Sequence, residues 1–421
     1  MKILTVVYSI GPGGTERAAV NYAAAYKRSG CDSRIWVLGN GLDRKEKLDK
    51  EQVICYLDKI NDAHEQHKVD IIAWKPDIVH IHSVDKEILH SAASLKAIGA
   101  KVVETNVFSR PHYDRSGSII DVSFQLAYWG LWKYHQWMRC EKAKPINLRL
   151  PYLIFEEDFS LPKDQNAKHQ LCAELNIPLN SFIAGRVGQA HPSKWDVRIL
   201  DVAERVVTRN NGIYFVFVGL PEKFKKLLVA LPQKIQKNIR LIDFISGDEA
   251  LTNFYSALDV FVHMSAIGES FGYVLTESLL CGCPVICLST PFKDNAQFEV
   301  VENKIGGYCT TSVKEFVARL LDISKNKDEF EKINLRKHIV LRFSEPILIT
   351  PLINTYHLLC SDNYDELNKL SLNEICLANA VVQRQIKFYG WRSFFIKIML
   401  HGMHLPLLYK LNSAIKKLAF T

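Results

Sequence analysis

The sequence predicts an α/β protein built from two doubly wound parallel sheets. Short apolar segments with strand character alternate with helical stretches in two separate series, one starting at the N-terminus and the other near residue 180. The chain has 421 residues, of which 48% are hydrophobic, and this is more than a single core usually holds. We therefore predict two domains, each with its own sheet.

The elements follow from this alternation in chain order. The first series predicts strands at 2–8, 33–38, 78–81 and 101–104. The second series predicts strands at 182–187, 214–218, 240–244, 260–264 and 285–288. A polar join between the two series contains Glu156, Glu157, Asp158, Pro162, Lys163 and Asp164. We predict an N-terminal domain over 1–160, a second domain over 161–342 and a C-terminal extension over 343–421.

Composition and cysteine spacing predict a cytoplasmic protein without a metal site. The ten cysteines are mostly scattered through apolar segments, which is typical of a reducing compartment. No second Cys-x-x-Cys or His-x-x-x-His pair accompanies the only cysteine cluster, and the chain has no Asp-x-Asp motif. The first apolar run passes into Gly-Pro-Gly-Gly without a cleavage site, so we expect no secretion signal.

The most informative segment, GESFGYVLTESLLCGCPVICL, occupies residues 268–288. It predicts a loop, a helix that begins at 271–273 and ends at Gly282, and a buried strand. The backbone N–H groups of Phe271, Gly272 and Tyr273 would lie at the helix N-terminus, where phosphate groups bind. The segment therefore predicts an anion site at a junction between loop and helix.

Two carboxylates flank this predicted anion site. Glu269 lies in the loop and Glu277 lies within the helix, about two turns from its start. Ionised carboxylates accept hydrogen bonds from sugar hydroxyl groups. An alternative also fits these two residues alone, in which Glu269 caps the helix and Glu277 is solvated on the surface. The pair favours a phosphorylated polyol as the ligand when the whole segment is considered.

This segment resembles the donor-site signature of retaining nucleotide-sugar glycosyltransferases, particularly glycosyltransferase family 4. The resemblance implies the GT-B fold, in which two Rossmann-like domains face a central cleft, here with a helical C-terminal extension. It also implies transfer of a sugar, with retention, from a UDP- or GDP-linked donor to a glycan or lipid-linked glycan acceptor. We expect no metal or cofactor, because cationic side chains and the helix terminus would replace an ion. In the family, Glu269 would meet the transferred sugar and Glu277 the ribose, while Ser270, Phe271, Gly272 and Tyr273 would line the donor site.

A second match lies in AGRVGQAHPSK at residues 184–194. Arg186 and Lys194 match basic positions of the family motif, and we predict that both hold the diphosphate. A nucleoside diphosphate gains negative charge as the glycosidic bond breaks, and fixed cations stabilise that charge. Trp195 departs from the glycine that is usual after the lysine.

In the N-terminal domain, GPGGTER at residues 11–17 follows a strand and opens a helix, for which Thr15 is the predicted N-cap. This loop can be a tight strand-to-helix turn and nothing more, because it lacks the Gly-x-Gly-x-x-Gly pattern of a dinucleotide site. In family 4 a similar Gly-Gly loop lines the cleft near the reaction centre. The resemblance therefore assigns Gly13 and Gly14 to the donor site.

Three polar residues of the same domain complete the predicted site. Asn106 is the nearest match to a family histidine that lies near the transferred sugar, and it joins Glu269, Arg186 and Lys194 in the predicted catalytic set. His82 and Glu104 follow or end predicted strands and are expected on the acceptor side. Each of these two residues also has a purely structural alternative.

The C-terminal tail lies outside the resemblance, which covers roughly residues 1–360. From residue 375 onward the chain has seven Lys or Arg residues and no Asp or Glu. Aromatic and apolar residues are interspersed with these cations, as in helices that bind an anionic membrane surface. Packing of the tail on the first domain as a helical pair is the open alternative. The tail predicts a cytoplasmic protein that associates peripherally with a membrane.

Two other functions compete with transfer. A sugar-nucleotide 2-epimerase with the same two-domain plan is the enzymatic alternative. Nucleic-acid binding is the non-enzymatic alternative, suggested by the sequence pI of about 8.8. The cations, however, are concentrated in the tail outside both α/β domains, and no zinc-finger or RNA-binding motif occurs. We therefore predict no nucleic-acid partner.

Overall fold

A computed structural model describes residues 1–82, 86–111, 119–139, 144–162 and 166–405. Residues outside these ranges include Lys163 and Asp164 of the polar join, Cys140 among the ten cysteines, and Lys410, Lys416 and Lys417 among the cations of the tail. The chain divides into two compact units. The first unit comprises Met1–Ile154, Glu345–Ile386 and Arg392–Thr421, and the second comprises Phe155–Ser344 and Lys387–Trp391.

A seven-stranded parallel sheet forms the centre of the first unit. Its strands are β1 (Lys2–Val7), β2 (Asp32–Val37), β3 (Ile54–Leu57), β4 (Ile78–Ile81), β5 (Lys101–Asn106), β6 (Val122–Gln125) and β7 (Ile146–Arg149). They lie in the order β3-β2-β1-β4-β5-β6-β7. The order runs in opposite directions from β1 and β4, so the switch point of this sheet lies between these two strands.

The helices of the first unit come from both ends of the chain. Those before the second unit are α1 (Gly14–Arg28), α2 (Lys45–Lys50), α3 (Asp58–Asn61), α4 (His64–Trp74), α5 (Lys86–Lys96) and α6 (Tyr128–Met138). The second unit contains α7 (Asn166–Glu174), α8 (Arg198–Arg209), α9 (Glu222–Val229), α10 (Gln233–Gln236), α11 (Asp248–Ala257), α12 (Tyr273–Leu280), α13 (Gln297–Val301), α14 (Val313–Lys325) and α15 (Lys332–Phe343). The C-terminal helices are α16 (Glu345–Cys360), α17 (Tyr364–Lys387) and α18 (Ser393–Met403).

The second unit has a six-stranded parallel sheet. Its strands are β8 (Phe182–Val187), β9 (Ile213–Val218), β10 (Ile239–Ile242), β11 (Val260–His263), β12 (Val285–Leu288) and β13 (Gly307–Thr310). Their order is β10-β9-β8-β11-β12-β13. The switch point of this sheet therefore lies between β8 and β11, where α/β sheets bind ligands at the carboxyl ends of their strands.

Apolar periodicity explains why these segments fold as they do. Central strands such as β8 and β11 are buried along almost their entire length, as expected for strands covered on both faces by helices. Helix α8 shows the complementary pattern, because its buried residues lie along one face and join the core above the sheet: Ile199, Leu200, Val202, Ala203, Val206 and Val207. The predicted α/β fold with two parallel sheets and a helical C-terminal region is confirmed.

The sequence analysis missed four strands. These are β3, β6, β7 and β13, each of four residues. Strands β6, β7 and β13 mix apolar with polar or small residues, as in Val-Ser-Phe-Gln of β6, whereas β3 is apolar (Ile-Cys-Tyr-Leu). A run of four residues is too short for its periodicity to stand out. All four lie toward the outer parts of their sheets. Strand pairing, which depends on neighbours distant in sequence, fixes these segments.

Candidate active site

The centre of the candidate site is the switch point of the second unit. Arg186 lies in β8, one residue before its end, and His263 is the last residue of β11. Because β8 and β11 are paired and parallel, both side chains stand at the same edge of the sheet. Loops from the ends of these two strands carry the other charged residues of the site.

Arg186 is buried and held on several sides. Its Nη1 donates to Nδ1 of His263 at 2.9 Å, and its Nη2 donates to the carbonyl oxygen of Lys194 at 2.5 Å. The guanidinium also lies over the ring of Trp195, 4.7 Å from the ring centroid. Burial lowers the pKa of Arg186 to about 10, so the group is still a cation at neutral pH.

The contact with Arg186 fixes the proton position of His263. Because a guanidinium only donates, Nδ1 of His263 accepts, and the ring proton must reside on Nε2. Nε2 lies 3.5 Å from Oε1 of Glu269 and has no hydrogen-bond partner within the part of the chain that the structure describes. Burial, with Arg186 and Lys194 adding to it, holds the pKa of His263 well below its ordinary value. His263 therefore directs a neutral N–H group toward Glu269.

Glu269 lies between His263 and a lysine. Its Oε2 is 3.9 Å from Nζ of Lys194, and the side chain of Glu269 is 12% exposed. Burial raises the pKa of Glu269, and Asp294 adds to this effect, whereas Lys194 and Arg186 oppose it. Most of the Glu269 side chain is therefore buried in the second unit, and the remainder is accessible to a ligand from solvent.

The loop that presents Glu269 is tightly constrained. Gly268 has a φ of +71°, and a Cβ at this position would lie 1.7 Å from the carbonyl oxygen of Asp294. The N–H of Glu269 donates to Oε1 of Gln297 at 3.2 Å, while its carbonyl oxygen accepts from the N–H of Ala296 at 2.9 Å. Only glycine fits at residue 268, and the loop from β12 to α13 fixes the backbone of Glu269.

Helix α12 begins at Tyr273, within the predicted range of 271–273. Gly272 is its N-cap with a φ of +92°, and no side chain caps the helix. A Cβ at Gly272 would lie 3.2 Å from Cγ of Glu269, so the helix start directly adjoins the carboxylate. Ser270 donates to Oδ2 of Asp294 at 3.1 Å, and Phe271 packs edge-on against Phe343 with ring centroids 5.2 Å apart.

Glu277 is buried in α12, so its interpretation as a solvated surface residue is wrong. Its Oε2 accepts a hydrogen bond of 2.8 Å from the Tyr255 hydroxyl. Because α12 begins at Tyr273, Glu277 lies about one turn into the helix, and the predicted spacing of about two turns is also wrong. A buried, hydrogen-bonded carboxylate at this depth is positioned by the interior of the unit.

Trp195 explains the departure from the family pattern after the lysine. Its side chain is buried, and its Nε1 donates to the carbonyl oxygen of Gln189 at 3.1 Å. The indole thereby braces the loop from β8 to Lys194 and supports the Arg186 guanidinium from one face. Lys194 itself has a side chain that is 38% exposed, which makes it the accessible cation of the pair.

Comparison with solved structures identifies the fold. A glycosyltransferase from Rickettsia africae has a TM-score of 0.68 at 18% identity, with 86% of this chain and 98% of that chain covered. HepE from Anabaena, solved with UDP and glucose, has a TM-score of 0.65 at 18% identity, with coverages of 84% and 99%. TarM from S. aureus has a TM-score of 0.64 at 11% identity, with coverages of 85% and 99%. The fold of this chain is GT-B.

Comparison of the sequence with family models finds a match within the second unit. Residues 168–339 match the family described as Glycosyl transferases group 1. We refer to this matched segment of the second unit as the group 1 domain. A search of curated proteins finds no match to the chain. The match contains Arg186, Lys194, Glu269 and Glu277, so the whole cluster at the switch point belongs to the group 1 domain.

The predicted residues Gly13, Gly14, His82, Glu104 and Asn106 lie outside the group 1 domain, in the first unit. The prediction that Thr15 caps α1 is wrong, because Gly13 is the N-cap and Gly14 the first helical residue. Oγ1 of Thr15 instead lies 3.4 Å from the Tyr152 hydroxyl. A Cβ at Gly13 would meet the carboxylate of Glu16, which lies in the first turn of α1. Glycine here leaves room for an acid at the helix N-terminus.

His82 directly follows β4 at the switch point of the first sheet. It is fully buried, and neither ring nitrogen has a hydrogen-bond partner among the described residues. Its ring centroid lies 4.2 Å from that of His80. Burial lowers the pKa of His82 to about 3, so the ring is neutral. A buried imidazole without hydrogen-bond partners at this edge of the sheet either contacts a ligand or is a structural residue of the interior.

Glu104 and Asn106, both in β5, are buried and are hydrogen-bonded to each other and to neighbouring residues. Oε1 of Glu104 accepts from the Ser123 hydroxyl at 2.5 Å and from Nδ2 of Asn106 at 3.4 Å. Nδ2 of Asn106 also donates to the Arg110 carbonyl at 2.8 Å, and its Oδ1 accepts from the Arg110 N–H at 3.1 Å. Both amide donors are thus occupied, which leaves acceptor capacity for a sugar hydroxyl.

Three residues that organise the group 1 domain were not predicted from the sequence. Nε2 of His263 lies 3.5 Å from Glu269, Tyr255 donates to Glu277, and Gln297 accepts from the backbone N–H of Glu269. A signal was present for His263, since a polar residue that ends a buried strand lies at the ligand edge of a parallel sheet. Tyr255 and Gln297 reach the site only through tertiary packing. Within the ranges described by the structure, no group of His, Cys, Asp and Glu side chains has an arrangement that could hold a metal ion.

Proposed function

We propose that this protein is a retaining glycosyltransferase that moves a sugar from a UDP- or GDP-sugar to an acceptor hydroxyl. One observation carries the proposal: a linked set of Arg186, His263, Glu269 and Lys194 stands at the switch point of a group 1 domain. Open α/β sheets bind nucleotides at this position. The set combines a cation for the diphosphate with a carboxylate for the sugar.

We assign the donor contacts from accessibility and charge. Lys194 and the N-terminus of α12 would face the diphosphate, because Lys194 is partly exposed and no side chain caps α12. Arg186 is buried and donates to His263 and to the Lys194 carbonyl oxygen. Its positive charge would therefore stabilise the diphosphate without direct contact. Glu269 would accept hydrogen bonds from the transferred sugar, and Glu277 from the ribose.

The proposed reaction needs no side-chain base. The bond from the anomeric carbon to the diphosphate oxygen breaks, and its electron pair stays with the leaving diphosphate. The acceptor hydroxyl oxygen bonds to the anomeric carbon on the same face, and its proton passes to an oxygen of the leaving phosphate. Fixed cations near that phosphate stabilise its developing charge in a partly dry site, so we propose that no metal is required.

The nucleotide and acceptor belong to the proposal. HepE was solved in complexes with UDP and with UDP-glucose, which makes UDP-sugars the first donors to test. A mutant of TarM was solved with UDP, fondaparinux and alpha-GlcNAc-glycerol, which supports a glycan as the first acceptor class to test; a lipid-linked glycan is the second class that we propose. We propose a role in polysaccharide or glycoconjugate synthesis at the cytoplasmic face of a membrane.

Acceptor dependence tests the proposal. The protein is incubated with UDP- and GDP-sugars, with and without octyl glycosides of common hexoses, and free nucleotide and sugar products are followed by NMR. Nucleotide release that depends on the acceptor, with the donor's anomeric configuration kept in the product, is expected. An isomerised nucleotide sugar formed without any acceptor would show a 2-epimerase instead.

Metal dependence is tested in the same assay. Activity should be unchanged in excess EDTA, because Lys194, Arg186 and the α12 terminus supply the positive charge. A strong loss in EDTA that magnesium or manganese restores would contradict this assignment of charge.

A further inference from the structure

Helix α18 has a face that packs on the first unit. Ile396 and Leu400 are buried, and so is His404 just after the helix. The ring of His404 lies 4.9 Å from that of Trp137 and 5.3 Å from that of Trp132. These residues recur every four positions and therefore form one row on the helix. The ring contacts of His404 place the C-terminal end of α18 against α6.

The rest of α18 exposes an unusually apolar surface. Phe394, Phe395, Ile398 and Met399 are 65%, 58%, 56% and 52% exposed. The pairs 394/398 and 395/399 are each four residues apart, so they form two adjacent rows away from the buried row. Met403 extends one of these rows and is also exposed. A helix that already buries one apolar row should be polar on its other faces in water, and this one is not.

Positive charge borders this apolar surface. Lys397 lies on the exposed part of α18, between the buried row and the aromatic rows, and Arg392 directly precedes the helix. The chain has no Asp or Glu after Glu374, whereas Lys and Arg continue to its end. Trp391, the residue before Arg392, is 81% exposed. Aromatic and aliphatic side chains beside cations match the boundary between anionic headgroups and acyl chains.

We propose that the exposed face of α18, formed by Phe394, Phe395, Ile398, Met399 and Met403, docks on an anionic lipid bilayer. The helix lies in the interface, because its 11 residues are too short to cross a bilayer. No helix found in the described parts of the chain is long and apolar enough to span a membrane. A second copy of the chain is a poorer occupant, since a two-fold contact would place the cations of both copies together.

This surface adds a membrane partner to the proposed function. The inference rests on the proposed function in one respect only, namely that the protein would meet a lipid-linked acceptor at the membrane. The packed row and the exposed rows make the two alternatives left open by the sequence compatible with each other. Packing on the first unit and docking on a membrane use different faces of the same helix.

Vesicle co-sedimentation of the full chain tests the proposal without any substrate. The wild type should bind vesicles of phosphatidylcholine with 30% phosphatidylglycerol, and binding should fall at least tenfold when the charge of the lipid is removed or when salt is raised. Phe394→Glu/Phe395→Glu should reduce binding to the anionic vesicles at least tenfold. The control Ile333→Glu/Leu341→Glu, which alters two exposed apolar residues of α15, should bind like the wild type.

The outcomes separate the proposal from its competitors. Equal binding by the two double variants, or no binding by the wild type, would overturn it. Analytical ultracentrifugation of the same proteins covers the second-copy alternative, because a dimer that the Phe394→Glu/Phe395→Glu change dissociates would replace the membrane as the occupant. Donor binding should be unchanged in this variant, so a failure of the membrane proposal and a failure of the transferase proposal are distinguishable.

A charge variant sharpens the result. Arg392→Gln/Lys397→Gln keeps the apolar face and removes two cations from its border. Its binding to anionic vesicles should fall several-fold, and its residual binding should depend less on salt than that of the wild type. An unchanged salt dependence would mean that the cations of α18 do not contact the lipid.

Discussion

The two sheets have the same kind of switch point, yet they present different chemistry there. In the group 1 domain, Arg186 and His263 are buried and support Glu269 and Lys194, which open partly to solvent. In the first unit, His82 and Glu104 at the equivalent edge are fully buried. The second unit thus offers a prepared charged site, whereas the first offers mainly neutral or internally bonded groups. Under the proposed function, the second unit would bind the charged donor, and the first unit would contribute uncharged groups for the acceptor hydroxyl.

The largest expected effect comes from Glu269→Gln. The change keeps the shape of the side chain and removes the charge that Lys194 and His263 surround, so the transfer rate should fall about 100-fold or more. Steady-state kinetics with the identified donor measure this loss. Glu249→Gln alters an exposed glutamate of α11 and should leave the rate unchanged. A Glu269→Gln protein with more than half of the wild-type rate would remove Glu269 from the site.

Two glycines with positive φ separate the cost of a steric clash at Gly268 from the cost of the backbone conformation alone at Gly247. Gly268→Ala would place a methyl group 1.7 Å from a backbone oxygen at a φ of +71°, so stability should fall by about 2–4 kcal/mol. Gly247→Ala meets no atom within 4 Å at a φ of +86° and should cost only about 1 kcal/mol for its conformation. Urea unfolding measures both. Equal losses would show that the loop before Glu269 can relax.

A histidine-to-phenylalanine substitution at each switch point compares the two sites directly. His263→Phe leaves Arg186 without its ring acceptor, so the transfer rate should fall about tenfold and stability by about 1–3 kcal/mol. His82→Phe replaces an imidazole without partners, so stability should be unchanged or higher. Kinetics and thermal unfolding of both variants measure these effects.

The acceptor KM of His82→Phe decides the role of that residue. A raised acceptor KM with unchanged donor affinity would place His82 on the acceptor side, and an unchanged KM would leave it as an interior group. A His263→Phe protein with normal kinetics would contradict the orienting role of His263 in the group 1 domain.

The smallest expected effect is a displacement of the acid limb of the pH–rate profile. Burial raises the pKa of Glu269, and the ionised form is required, so the rate should fall as pH decreases through that raised pKa. Lys194 lowers this pKa and Asp294 raises it. Lys194→Met should therefore move the acid limb to higher pH and Asp294→Asn to lower pH, each by less than about one unit. Movement of both in the same direction would contradict the assignment of the limb to Glu269.

Sequence patterns predicted the two sheets because their central strands are continuous apolar runs. They also predicted that Arg186 lies near the end of a strand, that Glu269 lies in a loop and that α12 begins at 271–273, since strand ends and helix starts are local features. The sequence patterns predicted the wrong N-cap for α1. Thr15 is a residue type that caps helices, but the helix begins one residue before it, at Gly14, with Gly13 as the N-cap and the Glu16 side chain close to it.

Tertiary packing determines the parts of the site that the sequence did not predict. Tyr255 lies 22 residues from Glu277 along the chain, and Gln297 lies 28 residues from Glu269, so neither partner has a local signal. The burial of Glu277 has the same origin, since an isolated glutamate in a helix looks like a surface residue until the neighbouring α11 is in place.

Binding of nucleotide sugars by the second unit is the central claim, and a thermal-shift measurement tests it most directly. Wild type and Glu277→Ala are unfolded in the presence of UDP-, GDP- and ADP-sugars, each variant being compared with its own unliganded midpoint. Ligand at 100 times its Kd stabilises the fold by about 2.7 kcal/mol, so one nucleotide class should raise the wild-type midpoint and should do so much less in Glu277→Ala. No shift with any nucleotide sugar, or the same shift in both proteins, would contradict the account.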